Sequence, residues 1–166
     1  MKFKSVDEIE KFSFRDSVIK TFRIEDGVVL LELDALIVEP NNSQNKNFTR
    51  SFADTTLVRF LGGKLEYAVK DGYRLRDPEG KIREEKPDEI IAASDAAPLP
   101  KTCEGTYLYA IENQAKTDGR KTVSLNVEFP QENPYDTLVT DSYRFYVSYD
   151  KAVFEWERFL NKVDEA

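Results

Sequence analysis

The stretch Val18-Ile19-Lys20-Thr21-Phe22-Arg23-Ile24-Glu25-Asp26-Gly27-Val28-Val29-Leu30-Leu31-Glu32-Leu33-Asp34 decides the fold class. Apolar and polar residues alternate on both sides of an Asp-Gly pair. A period of two marks a strand with one buried face. Glycine takes positive φ without steric cost and Asp tolerates it, so Asp-Gly between such runs signals a β-hairpin. A two-residue turn at Asp26-Gly27 sets Ile24 opposite Val29, Phe22 opposite Leu31, Lys20 opposite Leu33 and Val18 opposite Ala35. One face is then apolar apart from Lys20. The other carries Arg23, Thr21, Glu32 and Asp34, with Arg23 diagonal to Glu32. A slip of one residue would bring Glu32 and Asp34 against the core-facing set, so the pattern specifies its own register. Ile19, Leu30 and Leu36 on the second face predict that it is partly covered.

Outward from this hairpin the same signals recur. Asp118-Gly119 interrupts a second alternating run. At Asp71-Gly72 a three-residue loop, Lys70-Asp71-Gly72, opposes Val69 with Tyr73, Tyr67 with Leu75 and Glu66 with Arg76, which predicts left-handed Gly72 in a bulged hairpin. Asp77-Pro78-Glu79-Gly80 reads as a β-turn. The polar segment Glu39 to Asn47 reads as a loop, followed by a long strand from Phe48 to Leu61 that ends at Gly62-Gly63. Further strands are expected from Thr106 to Glu112, from Thr122 to Phe129 and from Ser142 to Tyr149. Ser5-Val6-Asp7-Glu8 has the spacing of a capping box, which predicts a short helix from Ser5 to Phe12. Residues 81–102 read as a long loop with a charge run at Arg83 to Lys86 and helical turns over Asp88 to Ala93. Near the C-terminus Val153, Trp156, Leu160 and Val163 have helical spacing. A turn at Asp150-Lys151, however, opposes Val147 with Phe154, Phe145 with Trp156 and Arg144 with Glu157, so strand through Phe159 is preferred. The expected architecture is a single all-β domain over residues 1–166, a mostly antiparallel sandwich or partly open barrel with a short N-terminal helix.

Composition sets the outer bounds. A chain of 166 residues with 40% hydrophobic residues can bury a full core without staples. Cys103 is the single cysteine, which excludes an intramolecular disulfide. No apolar run is long enough to cross a bilayer as a helix, and charged residues follow Met1 without an apolar stretch, so the reading is a cytoplasmic protein with no membrane association. The net charge of −7 disfavours nucleic acid and suits a basic protein partner.

Histidine is absent, which removes His-based triads, Cys-His dyads and His-ligated metals. Ser17-Val18-Ile19-Lys20 matches an S-x-x-K string, but in a strand residues three apart point to opposite faces, so the match is coincidental. Without His to activate it, Cys103 reads as structural. No nucleotide fingerprint or calcium loop is present, and no cofactor or metal is expected. Two alternatives stay open. A small-ligand barrel would line its interior with Tyr107, Tyr109, Tyr143 and Phe145, although core packing explains these with fewer assumptions. A carboxylate-dependent enzyme would draw on the 31 acids, none of which the spacing selects.

The run Phe14-Arg15-Asp16-Ser17, then Ile24-Glu25-Asp26-Gly27 and Leu31-Glu32-Leu33, resembles a group of small bacterial β-domains with a Phe-His-Asp-Ser or Phe-His-Asp-Ala entry to the first hairpin. Ser148-Tyr149-Asp150-Lys151-Ala152-Val153 through Glu155-Trp156 is similar to their closing segment. Some members look like immunity proteins of polymorphic toxin systems. Many others have no known role. Taken with the acidic charge and the lack of catalytic side chains, the resemblance implies a non-enzymatic interaction module of unknown function, with Arg15 and Asp16 as binding residues. Arg15 stands where those domains have His, so a role carried by that imidazole does not transfer. In a structural role, Asp16 and Ser17 would bond backbone N–H groups at the turn.

Overall fold

Among the described residues the alternating runs become strands β1 (Phe3–Val6), β2 (Phe12–Ser13), β3 (Val18–Glu25), β4 (Val28–Asp34), β5 (Ile37–Val38), β6 (Ser51–Ala53), β7 (Thr56–Leu61) and β8 (Lys64–Lys70). They continue as β9 (Tyr73–Arg76), β10 (Ile82–Lys86), β11 (Glu89–Ala92), β12 (Tyr107–Thr117), β13 (Arg120–Glu128), β14 (Ser142–Tyr149), β15 (Lys151–Trp156) and β16 (Phe159–Lys162). The structure, a computed structural model, describes residues 1–130 and 141–164. A ten-stranded antiparallel sheet runs in the order β1-β15-β7-β4-β3-β12-β13-β14-β8-β11. A smaller sheet, β16-β6-β5-β2, and the lone ribbon β10-β9 complete the all-β fold.

Two corners organise the large sheet. Strands β7 and β8 do not pair with each other, and neither do β14 and β15. Leu61 lies opposite Lys151 and Lys64 opposite Ser148, so residues 56–70 and 142–156 form one bent antiparallel ribbon. The bend sits at Gly62-Gly63 and Asp150. A Cβ on Gly62, at φ 65°, would lie 2.0 Å from the Asp150 carboxylate, and one on Gly63 would lie 2.4 Å from the Phe60 carbonyl oxygen. Only glycine permits this approach. Arg120 staples the corner by donating to the Gly62 carbonyl, the Asp150 carboxylate and Ser148 Oγ. The expected hairpin at Asp150-Lys151 is therefore corrected. The segment is strand, as read, but it bends and pairs with β7 and β1 rather than folding back on β14.

The bent ribbon folds the sheet over a common core. Phe22 of β3 meets Phe145 of β14 edge-on at 5.2 Å, although β12 and β13 separate these strands in the sheet. Trp156, Phe60 and Phe154 are fully buried with them. Each such burial contributes roughly 1.5–3 kcal/mol. The sheet is not a closed barrel. Strands β3 and β12 share one bridge, Tyr107 to Val18, and then part.

The first hairpin has the expected turn, with Ile24 opposite Val29 and Phe22 opposite Leu31. Beyond Phe22 a bulge shifts the register, so Ile19 rather than Lys20 faces Leu33. The extra residue turns Lys20 to solvent and Ile19 into the core, which removes the one charged position from the apolar face. At Asp118-Gly119 both residues have positive φ, 49° and 77°, as a two-residue turn between right-twisted strands requires.

Other expectations are overturned. No hairpin forms at Asp71-Gly72: β8 pairs with β14 and β11, while β9 pairs with β10. Gly72 is needed for close approach instead, since a Cβ there would meet the Lys86 carbonyl oxygen at 2.0 Å. The N-terminal helix is also absent. Ser5 lies in β1, and a single 3-10 turn spans Ile9–Lys11. Ser5 Oγ donates to Glu8 Oε1 at 2.7 Å, so the capping-box pair bonds side chain to side chain. The helical turns lie at Ala93–Ala96 and Leu99–Thr102, after β11 has taken up residues predicted to be helical. The strand expected from Phe48 to Leu61 is split into β6 and β7. Asp54 Oδ1 accepts from the backbone N–H groups of Glu157 and Arg158 at this break.

Candidate interaction face

Strand β13 is buried on both sides, and the two sides differ in chemistry. Val123, Leu125 and Val127 enter the core; Thr122, Ser124 and Asn126 face outward and are still at most 5% exposed. Directly opposed residues share a face. The outward set therefore runs from Ala110, Glu112 and Gln114 of β12, through β13, to Arg144, Tyr146 and Ser148 of β14 and Tyr67 of β8. Hydrogen bonds knit it into a polar layer. Gln114 Nε2 donates to Ser124 Oγ at 3.0 Å and Asn126 Nδ2 to Glu112 Oε1 at 3.0 Å. Ser148 Oγ donates to Glu66 Oε1 at 2.7 Å.

Arg144 is the hub of this face. Its Nε donates to Asp71 Oδ1 at 2.7 Å, Nη1 to the Tyr146 hydroxyl at 2.8 Å and Nη2 to Asp88 Oδ2 at 3.2 Å. Asp71 also accepts from Ser142 Oγ, and Asp88 from the Gly72 N–H. Burial alone would lower the Arg144 pKa. The bond to Asp71 and the fields of Asp71, Tyr146 and Asp88 outweigh it and hold the guanidinium above its ordinary value. Tyr67 stacks on Tyr146 at 4.4 Å with 12° between the rings.

Tyrosines stand out from this layer: Tyr67 is 37%, Tyr107 46% and Tyr109 41% exposed. Tyr109 occupies a bulge, between the pairs Leu108–Val127 and Ala110–Asn126. Burial, then Asp71, Glu128 and Glu112, push its phenol pKa up, with Arg144 opposing. The local field is thus negative. Aromatic side chains and arginine within a polar rim are the composition of protein-binding hot spots. Tyr107 and Tyr109 therefore lie outside the barrel-like interior that a ligand carrier would use them to line. Phe145 is buried against Phe22 and Tyr143. Asp71 and Asp88 are brought together across a neutralising guanidinium, which is not the arrangement of an acid–base pair.

The residues singled out by sequence lie elsewhere. Arg15 and Asp16 form an exposed turn between β2 and β3 and bond to each other, Nη2 to Oδ2 at 3.0 Å. Ser17 Oγ is buried without a partner; it is Ser13 Oγ that accepts from a backbone N–H, that of Arg15. Cys103 is buried, and desolvation pushes its thiol up to about 11, so it is inert at neutral pH. Sequence reasoning missed Asp71, Asp88 and Arg144 because no local spacing joins residues 56 and 73 positions apart. It missed the loop tip as well. Phe48 is 90% exposed at φ 58°, on a loop pinned by Asn45, whose Nδ2 donates to the Val38, Glu39 and Thr49 carbonyls. A bulky residue in the left-handed region is a strained outlier.

Among the described residues no cluster of His, Cys, Asp and Glu could hold a metal ion, and no helix is long and apolar enough to cross a membrane. Comparison of the chain with protein-family models, with curated proteins and with solved structures finds no match in any of the three.

Proposed function

We propose that this protein is a non-enzymatic interaction module that binds a basic protein through the outer face of β8, β14, β13 and β12. The observation that carries the reading is the set of half-exposed tyrosines, Tyr67, Tyr107 and Tyr109, standing on a hydrogen-bonded layer. The field acting on Tyr109 is dominated by carboxylates. Net charge −7 would steer a basic partner toward it. Folded over as a partly open barrel, the sheet gives that face a rigid support. An immunity-like role, in which a cytoplasmic protein masks a basic toxin, is the form suggested by the Phe14 to Ser17 resemblance.

Capture from a host lysate with the wild type and with a Tyr67→Ser, Tyr109→Ser double variant tests the reading. A basic protein held by the wild type and lost by the variant supports it. Recovery of no specific protein, or equal recovery by both, ends it. A toxin gene immediately upstream would favour the immunity form.

A further inference from the structure

Asn126 is 3% exposed, and only half of its amide is used. Nδ2 donates to Glu112 Oε1 at 3.0 Å, while Oδ1 has no donor. A buried acceptor left unpaired costs free energy, and native proteins keep few of them. Turning the amide over gives no relief, because its carbonyl would then face the Glu112 carboxylate. The neighbouring guanidinium of Arg144, opposite Asn126 in the sheet, is drawn to Asp71, Tyr146 and Asp88 by three of its five N–H groups, and none of its donors reaches Oδ1. The carboxylate of Glu112 bonds the same amide, and the β12 bulge sets the half-exposed Tyr109 one residue from Ala110, which lies opposite Asn126.

An acceptor without a donor, a negative charge and a half-exposed ring have a common complement. We infer that Tyr109, Glu112 and Asn126 form a recognition site for an arginine side chain of the partner, a deduction that rests on the docking face proposed above. A guanidinium is planar and carries several N–H donors in a fixed fork. It can donate to Asn126 Oδ1 and to Glu112 together while stacking on the tyrosine ring. Lysine, a point charge on a flexible stem, satisfies the acceptors less well. Oδ1 is closed to solvent in the free protein, so binding of the guanidinium there requires neighbouring side chains to move.

The test uses hexa-arginine, hexa-lysine and hexa-glutamate peptides, titrated into the full chain and followed through the Asn126 side-chain amide resonances and by calorimetry. Hexa-arginine is expected to bind at least about tenfold more tightly than hexa-lysine and to move the Asn126 resonances. Asn126→Leu is expected to weaken it by about tenfold. Because Asn126 is buried and its variant can fail to fold, Glu112→Gln and Tyr109→Leu, at exposed positions, carry the same comparison with losses of about threefold to tenfold each. Equal binding by the wild type and these two variants overturns the arginine site and leaves the docking face standing, as does equal affinity for the lysine peptide. Absence of hexa-arginine binding also overturns the site, and the lysate capture then decides separately whether the docking face falls with it.

Discussion

Two arginine–aspartate groupings in this molecule have nearly the same chemistry and opposite structural weight. Arg15 and Asp16 are chain neighbours with side chains 51% and 42% exposed, and their contact joins nothing that the backbone has not already joined. Arg144 gathers Asp71 and Asp88 from positions 73 and 56 residues away; Arg144 and Asp71 are only 28% and 24% exposed, while Asp88, at 57%, is the open end of the group. It ties the end of β8, the approach to β11 and β14 into one junction. An ion pair matters to a fold through what it closes and how far it is withdrawn from water, rather than through its distance alone.

The comparison can be broken from the junction side first. Gly72→Ala would push a Cβ against the Lys86 carbonyl and the Pro87 backbone, neither of which can swing aside. It is expected to cost about 3 kcal/mol in urea unfolding. Arg144→Met leaves two carboxylates without their partner; with the partial exposure discounted, a loss of about 1–2 kcal/mol is expected. Arg144→Lys should recover less than half of that loss, because an ammonium cannot fork between Asp71 and Asp88. A double-mutant cycle on Tyr67→Ala and Tyr146→Ala should give a coupling of about 0.5–1.5 kcal/mol from the ring stack.

Glu8 sharpens the contrast through pH. Burial raises its pKa, but bonds from Ser43, Ser5 and Lys11 outweigh this and leave the carboxyl below its ordinary value of 4.5. A depressed carboxylate contributes stability that is fully present above the unfolded pKa and is lost as pH falls through the folded one. Acid unfolding followed by tryptophan fluorescence should therefore show a stability loss starting near the ordinary Glu pKa that is smaller in Glu8→Gln. The smallest effect belongs to the exposed pair. Arg15→Ala or Asp16→Asn should change stability by less than about 0.5 kcal/mol. A larger value would dissolve the distinction drawn between the two groupings.

The strands themselves were largely legible. Alternation located β3, β4, β13 and β14, and the Asp-Gly pairs at 26–27 and 118–119 are hairpin turns. What alternation does not carry is the identity of the neighbour. Gly72 announces a departure from regular strand and its spacing predicts a turn, whereas the pairing partners of β8 are β14 and β11, far along the chain. Asp150-Lys151 predicts a hairpin for the same reason, and β15 pairs with β7 and β1 instead. Lys20 was the one visible misfit in the first hairpin, and the bulge there is its physical answer. The candidate face was barely legible. Nothing in the alternation separates Asn126 from the other polar residues of β13, and the hairpin register sets Arg144 opposite Glu157 rather than beside Asp71 and Asp88, because its partners converge only after the sheet has formed.

The bent ribbon has a mechanical meaning. Residues 56–70 and 142–156 contribute rungs to both limbs of the folded sheet, so neither limb can come apart while the other stays whole. Opening either limb strips the shared pair of the packing on which the remainder depends. The outer tyrosine surface and the aromatic interior around Trp156 thus belong to one cooperative unit, and whatever grips that surface reinforces the whole body against unfolding.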